Sequence, residues 1–183
     1  LIRIGAEMQR NGFEDVEALA TIDVLRRSSI QIDTASLFDT NVLTQSNHYI
    51  RAQYLLSDLN IDQYDFLILP GGKAVFNILD KEKVIDDLID HFYNANKLIC
   101  AICAAPRLIA KRGYFKNLKY TIFPGCLDGT VEGKNINKGV VVEKQFITAK
   151  SMYYSIDFAL EIIRKLQGNN QVKIIKNQIM GKK

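Results

Sequence analysis

Apolar and polar positions along this chain follow two periods. Short unbroken apolar runs, Asp65–Leu69 and Lys97–Ile102, read as strands buried on both faces. Other segments repeat at helical spacing. Lys81–Asn94 carries Val84, Ile85, Leu88, Ile89 and Phe92 on one stripe, and Glu14–Arg27 carries Val16, Leu19 and Ala20, with Ile22–Leu25 extending the apolar face. Ile30–Ala35 and Tyr120–Phe123 are expected as further strands. Val140–Val142 and Phe146–Thr148 are expected as a hairpin joined by Glu143, Lys144 and Gln145. Pro106–Lys111 reads as a short helix with Gly113 in the position of a C-terminal cap, and Ser155–Leu166 and Val172–Ile179 as later helices. A first strand belongs somewhere in Leu1–Asn11, a stretch too short and too polar in its second half to place it.

Apolar runs alternating with amphipathic helices predict an α/β fold, a mainly parallel sheet with helices on both faces. No repeat, low-complexity block or Pro/Gly linker divides the 183 residues, so one domain over 1–183 is expected. With 48% hydrophobic and 24% charged residues the composition is that of an ordinary globular protein. No apolar run is long enough to span a bilayer, and Leu1–Arg10 contains no sustained apolar segment of the signal-peptide kind. The net charge of +4 is mild, and the cluster Lys173, Lys176, Lys182 and Lys183 reads as a solvated tail. Neither a nucleic-acid nor a membrane partner is therefore expected.

Three cysteines, Cys100, Cys103 and Cys126, are an odd number, which argues for free thiols in a reducing, cytoplasmic setting. Cys100 ends an apolar run and reads as a core residue. Cys103 differs. In Ala101-Ile102-Cys103-Ala104-Ala105-Pro106 a strand runs straight into a cysteine and a helix starts at once, with small residues on either side. That is the steric recipe of a nucleophile elbow, in which strand and helix approach closely around a strained residue. The following helix start is expected to favour thiolate, and the Ala104 N–H to face a developing oxyanion. Pro70-Gly71-Gly72 ends a second buried strand and can bring backbone close to a ligand at the same sheet edge. Acidic Glu14, Asp15 and Glu17 open the first long helix. A carboxyl buried beside the elbow could exchange a proton with the thiol. His48 and His91 show no metal-ligand spacing, and no histidine follows Cys103, which argues against a protease-type dyad. No metal and no cofactor are expected.

Three segments taken together resemble the ThiJ/PfpI superfamily and its DJ-one branch, proteins with a class I glutamine amidotransferase-like fold. They are Gly12–Glu17 with Ile22–Arg27, then Tyr64–Gly72, then Ala101–Pro106. The resemblance continues through Ile147–Lys150 and Ile156–Leu160 and covers about residues 12–166. It implies a flavodoxin-like three-layer sandwich and a homodimer. Cys103 matches the family's oxidisable elbow cysteine, and Glu17 the acid that hydrogen-bonds it. Gly71, Gly72 and Ala104 match the backbone donors of the pocket, and Arg26 and Arg27 an arginine pair of which one member joins the dimer interface. Two positions depart. Phe123 stands where many members carry histidine or tyrosine, and Ser151-Met152-Tyr153 replaces a common Gly-Pro-Gly.

The resemblance implies a cysteine-dependent, cofactor-free enzyme of the glyoxalase or deglycase type. Its substrates would be small reactive aldehydes or glycated proteins carrying their early adducts. The alternative is a redox sensor or stress-response chaperone, in which mild peroxide takes Cys103 to a sulfinic acid while Cys100 and Cys126 stay reduced. A peptidase or amidase ranks below both for want of a histidine, and a role in thiamine biosynthesis finds no phosphate-binding loop.

Overall fold

The computed structural model describes residues 2–5, 12–129 and 131–182. Its strands and helices run in the order β1 (Ile2–Gly5), α1 (Asp15–Arg27), β2 (Ile32–Ser36), β3 (Asn41–Leu43), β4 (Tyr49–Arg51), β5 (Tyr54–Leu55), β6 (Phe66–Leu69), α2 (Ala74–Asn77), α3 (Lys83–Asn94), β7 (Leu98–Ile102), α4 (Pro106–Lys111), β8 (Lys119–Tyr120), β9 (Lys134–Asn135), β10 (Val140–Glu143), β11 (Phe146–Ala149), α5 (Ser155–Gln167) and α6 (Asn169–Ile179). The main sheet has the order β10-β11-β7-β6-β1-β2-β5. Every neighbouring pair in it is parallel except the β10–β11 hairpin. The first strand, expected only somewhere before Gly12, is β1.

Two buried clusters show why the sheet is covered on both sides. Alternate residues of one strand point to opposite faces. Leu98, Cys100 and Ile102 of β7 pack with Val24 and Leu25 of α1, Phe158, Ile162 and Ile163 of α5, and Val172 and Ile175 of α6. Ile99 and Ala101 pack the other way, with Ile85, Leu88, Ile89 and Phe92 of α3 and Leu108 and Ile109 of α4. The result is the flavodoxin-like α/β sandwich that the alternation of runs and stripes predicts.

Several boundaries differ from expectation, each for a visible reason. β2 begins at Ile32 rather than Ile30, because Ser28, Ser29 and Ile30 close the end of α1 and Ile30 N–H donates to Leu25 O at 3.2 Å. α3 begins at Lys83, since Leu79–Lys81 forms a separate 3-10 turn and Glu82 is extended. The strand expected over Tyr120–Phe123 stops at Tyr120. Beyond it the backbone bonds elsewhere: Thr121 N–H to the Thr148 hydroxyl, and Phe123 N–H to Cys103 O at 2.9 Å. Lys173 and Lys176 are exposed as expected, on α6 rather than on a loose tail, and Lys182 is exposed beyond it; Lys183 lies outside the described residues. The β3–β4 hairpin, β5 and α2 have no counterpart in the sequence reading.

For function, the register between β6 and β7 matters most. Leu69 stands beside Ala101, so the loop after β6 lies against the elbow after β7. Both loops leave the carboxyl edge of a parallel sheet, where open α/β sheets bind their ligands.

Candidate active site

Cys103 follows directly on β7 and takes a φ of 61°, the left-handed region that side chains with a Cβ enter at a cost of about 1–2 kcal/mol. Two hydrogen bonds hold it there. Its N–H donates to Ala149 O at 2.8 Å, extending the β7–β11 ladder by one residue, and its carbonyl accepts from Phe123 N–H at 2.9 Å. α4 starts three residues later with Pro106 in its first turn, where the missing N–H has no helical partner to lose. The elbow expected from the small-residue pattern is thus present, held by the end of β11 and by the stretch that follows β8.

Glu17 approaches from α1. It lies in the helix's first turn, where Glu14 acts as N-cap and accepts the Glu17 N–H at 2.9 Å through Oε2. Phe13 is buried and bridges to Gly72, and Glu14 N–H donates to Gly71 O at 3.1 Å. The segment entering α1 is therefore stitched to the loop after β6. Gly72 takes φ +99°, and a Cβ on it would lie 2.6 Å from the Glu14 nitrogen, so glycine is required there.

These contacts bring the Glu17 carboxyl, 1% exposed, against the Cys103 thiol. Gly71 N–H donates to Glu17 Oε2 at 2.8 Å, while Oε1 finds no hydrogen-bond partner among the described residues. Burial pushes the Glu17 carboxyl up to about 7, partly opposed by Cys103 and the Gly71 N–H. Burial and the adjacent Glu17 charge push the Cys103 thiol upward as well, with only the Ala104 N–H pulling it back. Near neutral pH Glu17 is the group that changes charge while Cys103 keeps its proton, and ionising both is opposed by like-charge repulsion.

Two expectations need correction here. The thiolate is not favoured by the helix start, because α4 is six residues long and the desolvation and carboxylate beside Cys103 outweigh it. Gly71 N–H, expected among the pocket's free backbone donors, is committed to Glu17. The Ala104 N–H does approach Cys103, and Gly72 holds the entry to α1. Arg26 and Arg27 lie away from the pair: Arg26 reaches Ile32 O and Gln53, and Arg27 pairs with Asp23 on its own helix. His48 stands by Asp15 and His91 by Asp62, leaving neither to partner the cysteine. Among the described residues no group of His, Cys, Asp and Glu side chains is arranged to hold a metal ion, and no helix is long and apolar enough to cross a membrane.

Sequence reasoning missed Arg107. It is buried, with Nε on Asp80 Oδ2 at 3.1 Å, Nη1 on Cys126 O at 3.1 Å and Nη2 on Asp128 Oδ2 at 2.6 Å. A charged residue directly after Pro106, in a helix otherwise apolar up to Lys111, was the available signal.

Comparison with known proteins places this geometry. The glutathione-independent glyoxalase DJR-1.2 of Caenorhabditis elegans is 29% identical over 157 residues, covering 85% of this chain and 83% of that protein. Deglycase PfpI of Pyrococcus furiosus is 26% identical over 146 residues, covering 78% and 87%. The crystal structure of Drosophila melanogaster DJ-1beta superposes with a TM-score of 0.88 at 27% identity, covering 98% of this chain and 97% of that one. The model of the DJ-1/PfpI family matches residues 8–165, and the chain belongs to the DJ-1/PfpI family.

Proposed function

We propose that this protein is a cofactor-free enzyme converting small α-oxoaldehydes, or their early adducts on proteins, to hydroxy acids. The observation that carries the proposal is the buried Cys103–Glu17 pair on its strained elbow, with Gly71 N–H orienting the carboxyl. Relatives named as a glyoxalase and a deglycase support the same reading.

The pair supplies the steps without a third partner. The Glu17 carboxylate takes the Cys103 proton as the sulfur adds to the aldehyde carbon, and gives that proton to the resulting alkoxide. The carboxylate so formed then removes the hydrogen from that carbon and returns it to the neighbouring one. The ketone becomes an alcohol and the hemithioacetal a thioester. Water, with Glu17 accepting its proton, hydrolyses the thioester and frees Cys103. The balance is methylglyoxal plus water to lactate. The Ala104 N–H, already directed at the sulfur side, is placed to stabilise the oxyanion of addition and hydrolysis. Phe123 gives up its N–H to Cys103 O and offers no acid or base. The test is lactate formation from methylglyoxal without added glutathione. Sustained production supports the proposal, and none under any tested pH removes it.

The pH dependence follows from the pair. Below about 7 Glu17 and Cys103 each hold a proton, and no thiolate is accessible. As pH rises through about 7 Glu17 gives up its proton and becomes the base that the addition step needs, while its charge holds the Cys103 thiol up. Lactate formation is therefore expected to rise through about pH 7, and direct alkylation of Cys103 by iodoacetamide only at higher pH. Glu17→Gln should move the alkylation rise to lower pH, because the charge that pushes the thiol up is gone and burial is the main cause left. An unshifted alkylation profile in the variant would show that Glu17 does not act on the thiol.

The same helix supports a homodimer. Glu17 and Leu19 are two residues apart on α1, roughly 200° around the helix, and so face opposite ways. Leu19, 45% exposed, joins Ile22, Val42, Ile50 and Ala52 in an apolar groove with Arg26 at its rim. A second copy of this chain packing α1 against α1 would cover it, with Arg26 rather than Arg27 at the contact. Light scattering is expected to give twice the 20.8 kDa chain mass, and Leu19→Glu to give a monomer. A monomeric wild type would overturn this assignment.

A further inference from the structure

Cys126 has no role in the mechanism above, yet the fold carries it to the elbow. Phe123 N–H is bonded to Cys103 O, and three residues on Cys126 N–H donates to Phe123 O at 3.2 Å. Pro124 and Gly125, the latter at φ +80°, fill the two corners between them, the residue pattern of a type II turn. Cys126 thus ends a tight turn that begins on the Cys103 carbonyl. It belongs to the same buried cluster as Ala104 and Ala105, the two residues after Cys103, whereas the Cys103 side chain borders the cluster on the other face. The two thiols are near enough that a charge on Cys126 pushes the Cys103 thiol up. The Cys126 thiol is itself raised by burial and pulled back by Arg107, whose Nη1 holds the Cys126 carbonyl. Phe123, Pro124 and Gly125, the turn residues between the two cysteines' backbone anchors, are exposed.

We propose that Cys126 is the resolving thiol for Cys103, closing a reversible Cys103–Cys126 disulfide when Cys103 is oxidised by a hydroperoxide. In the first step the Cys103 thiolate attacks the peroxide, its O–O bond breaks, sulfur takes the hydroxyl as a sulfenic acid, and the departing alkoxide leaves as an alcohol with the proton held by Glu17. Sulfur loses two electrons and the peroxide gains them. In the second step Cys126 sulfur attacks the sulfenic sulfur, the S–O bond breaks, and hydroxide leaves as water with the Cys126 proton. The cysteine is thereby withdrawn from irreversible oxidation and from turnover until a reductant opens the bridge. This inference rests on the reactivity of Cys103 proposed above, but not on any particular aldehyde.

The test is a several-fold molar excess of hydrogen peroxide on the full chain, alkylation of remaining thiols, tryptic digestion without reductant and mass analysis. Before alkylation the expected product is about 2 Da lighter than the reduced protein, and after digestion peptide 98–107 is linked to peptide 120–134. The link should survive Cys100→Ala, which removes the other cysteine of the first peptide, and vanish in Cys103→Ser. Cys126→Ser should instead gain about 32 Da on Cys103, the sulfinic acid. Dithiothreitol should restore lactate formation in the peroxide-treated wild type and fail to restore it in Cys126→Ser. A wild type that gains about 32 Da on Cys103 with Cys126 alkylated overturns the resolving role and leaves the enzyme proposal intact. A Cys103 that is unmodified, in a protein that also makes no lactate, removes both.

Discussion

Cys103→Ser is expected to lose at least about 10³-fold in kcat for methylglyoxal while keeping its fold. The serine hydroxyl fits the same elbow, accepts the same φ of 61° and keeps the backbone bonds to Ala149 and Phe123, which do not involve the side chain. What changes is the proton balance. A carboxyl that titrates at about 7 can exchange a proton with a thiol but cannot take one from an alcohol to a useful extent. Glu17→Gln should cost a comparable factor, and the double variant little more than either single one, because the two side chains act as one unit. Steady-state lactate formation measures the loss, and near-ultraviolet circular dichroism checks the packing. Turnover retained in the serine variant would refute a cysteine-dependent mechanism.

Gly71→Ala tests how closely that unit is built. A Cβ at Gly71 would lie 2.7 Å from Cys103 Cβ, 2.7 Å from Glu17 Oε2 and 2.9 Å from Ile102 O. The first and last belong to the rigid elbow, so the Glu17 carboxyl must give way, and with it the bond from Gly71 N–H. A displacement near 1 Å at reacting groups costs about 10²-fold in rate, and overpacking of this kind costs about 1–3 kcal/mol in stability. Gly113→Ala is the control. Its Cβ would meet nothing within 4 Å, and its φ of +75° imposes only the backbone cost of about 1 kcal/mol, with turnover unchanged. kcat/KM and urea midpoints on both variants separate steric disruption of the pair from general loss of stability. A Gly71→Ala enzyme with full activity would show that Glu17 need not be held as described.

The elements that could be read from the sequence are those whose burial repeats. β6 and β7 are apolar at every position because both faces are covered, and the stripes of α3 and α5 are sharp because each buries one side. The β3–β4 hairpin has no signal because its strands are three residues long, too short to show an alternation, and α2 because four residues cannot show a period. Cys103 and Glu17 were legible through local chemistry, an elbow and a helix opening. Their electrostatics were not, because desolvation depends on what is packed around a group. The Gly71–Glu17 bond spans 54 positions, a separation at which no periodicity speaks. Phe123 shows the same limit from the other side. Its apolar identity suggested a strand, while the hydrogen bond that decides its place comes from the elbow.

The left-handed backbone at Cys103 sets stability and reactivity against each other at a single residue. Glycine would occupy φ 61° without strain, so Cys103→Gly relieves the very conformation that sets the sulfur against Glu17. Selection for thermal persistence alone would drift toward glycine at this position, and a library of this chain screened only for heat resistance should enrich it. Only selection that rewards the sulfur's chemistry retains a side chain there, so what residue 103 is in a population reports which pressure that population is under.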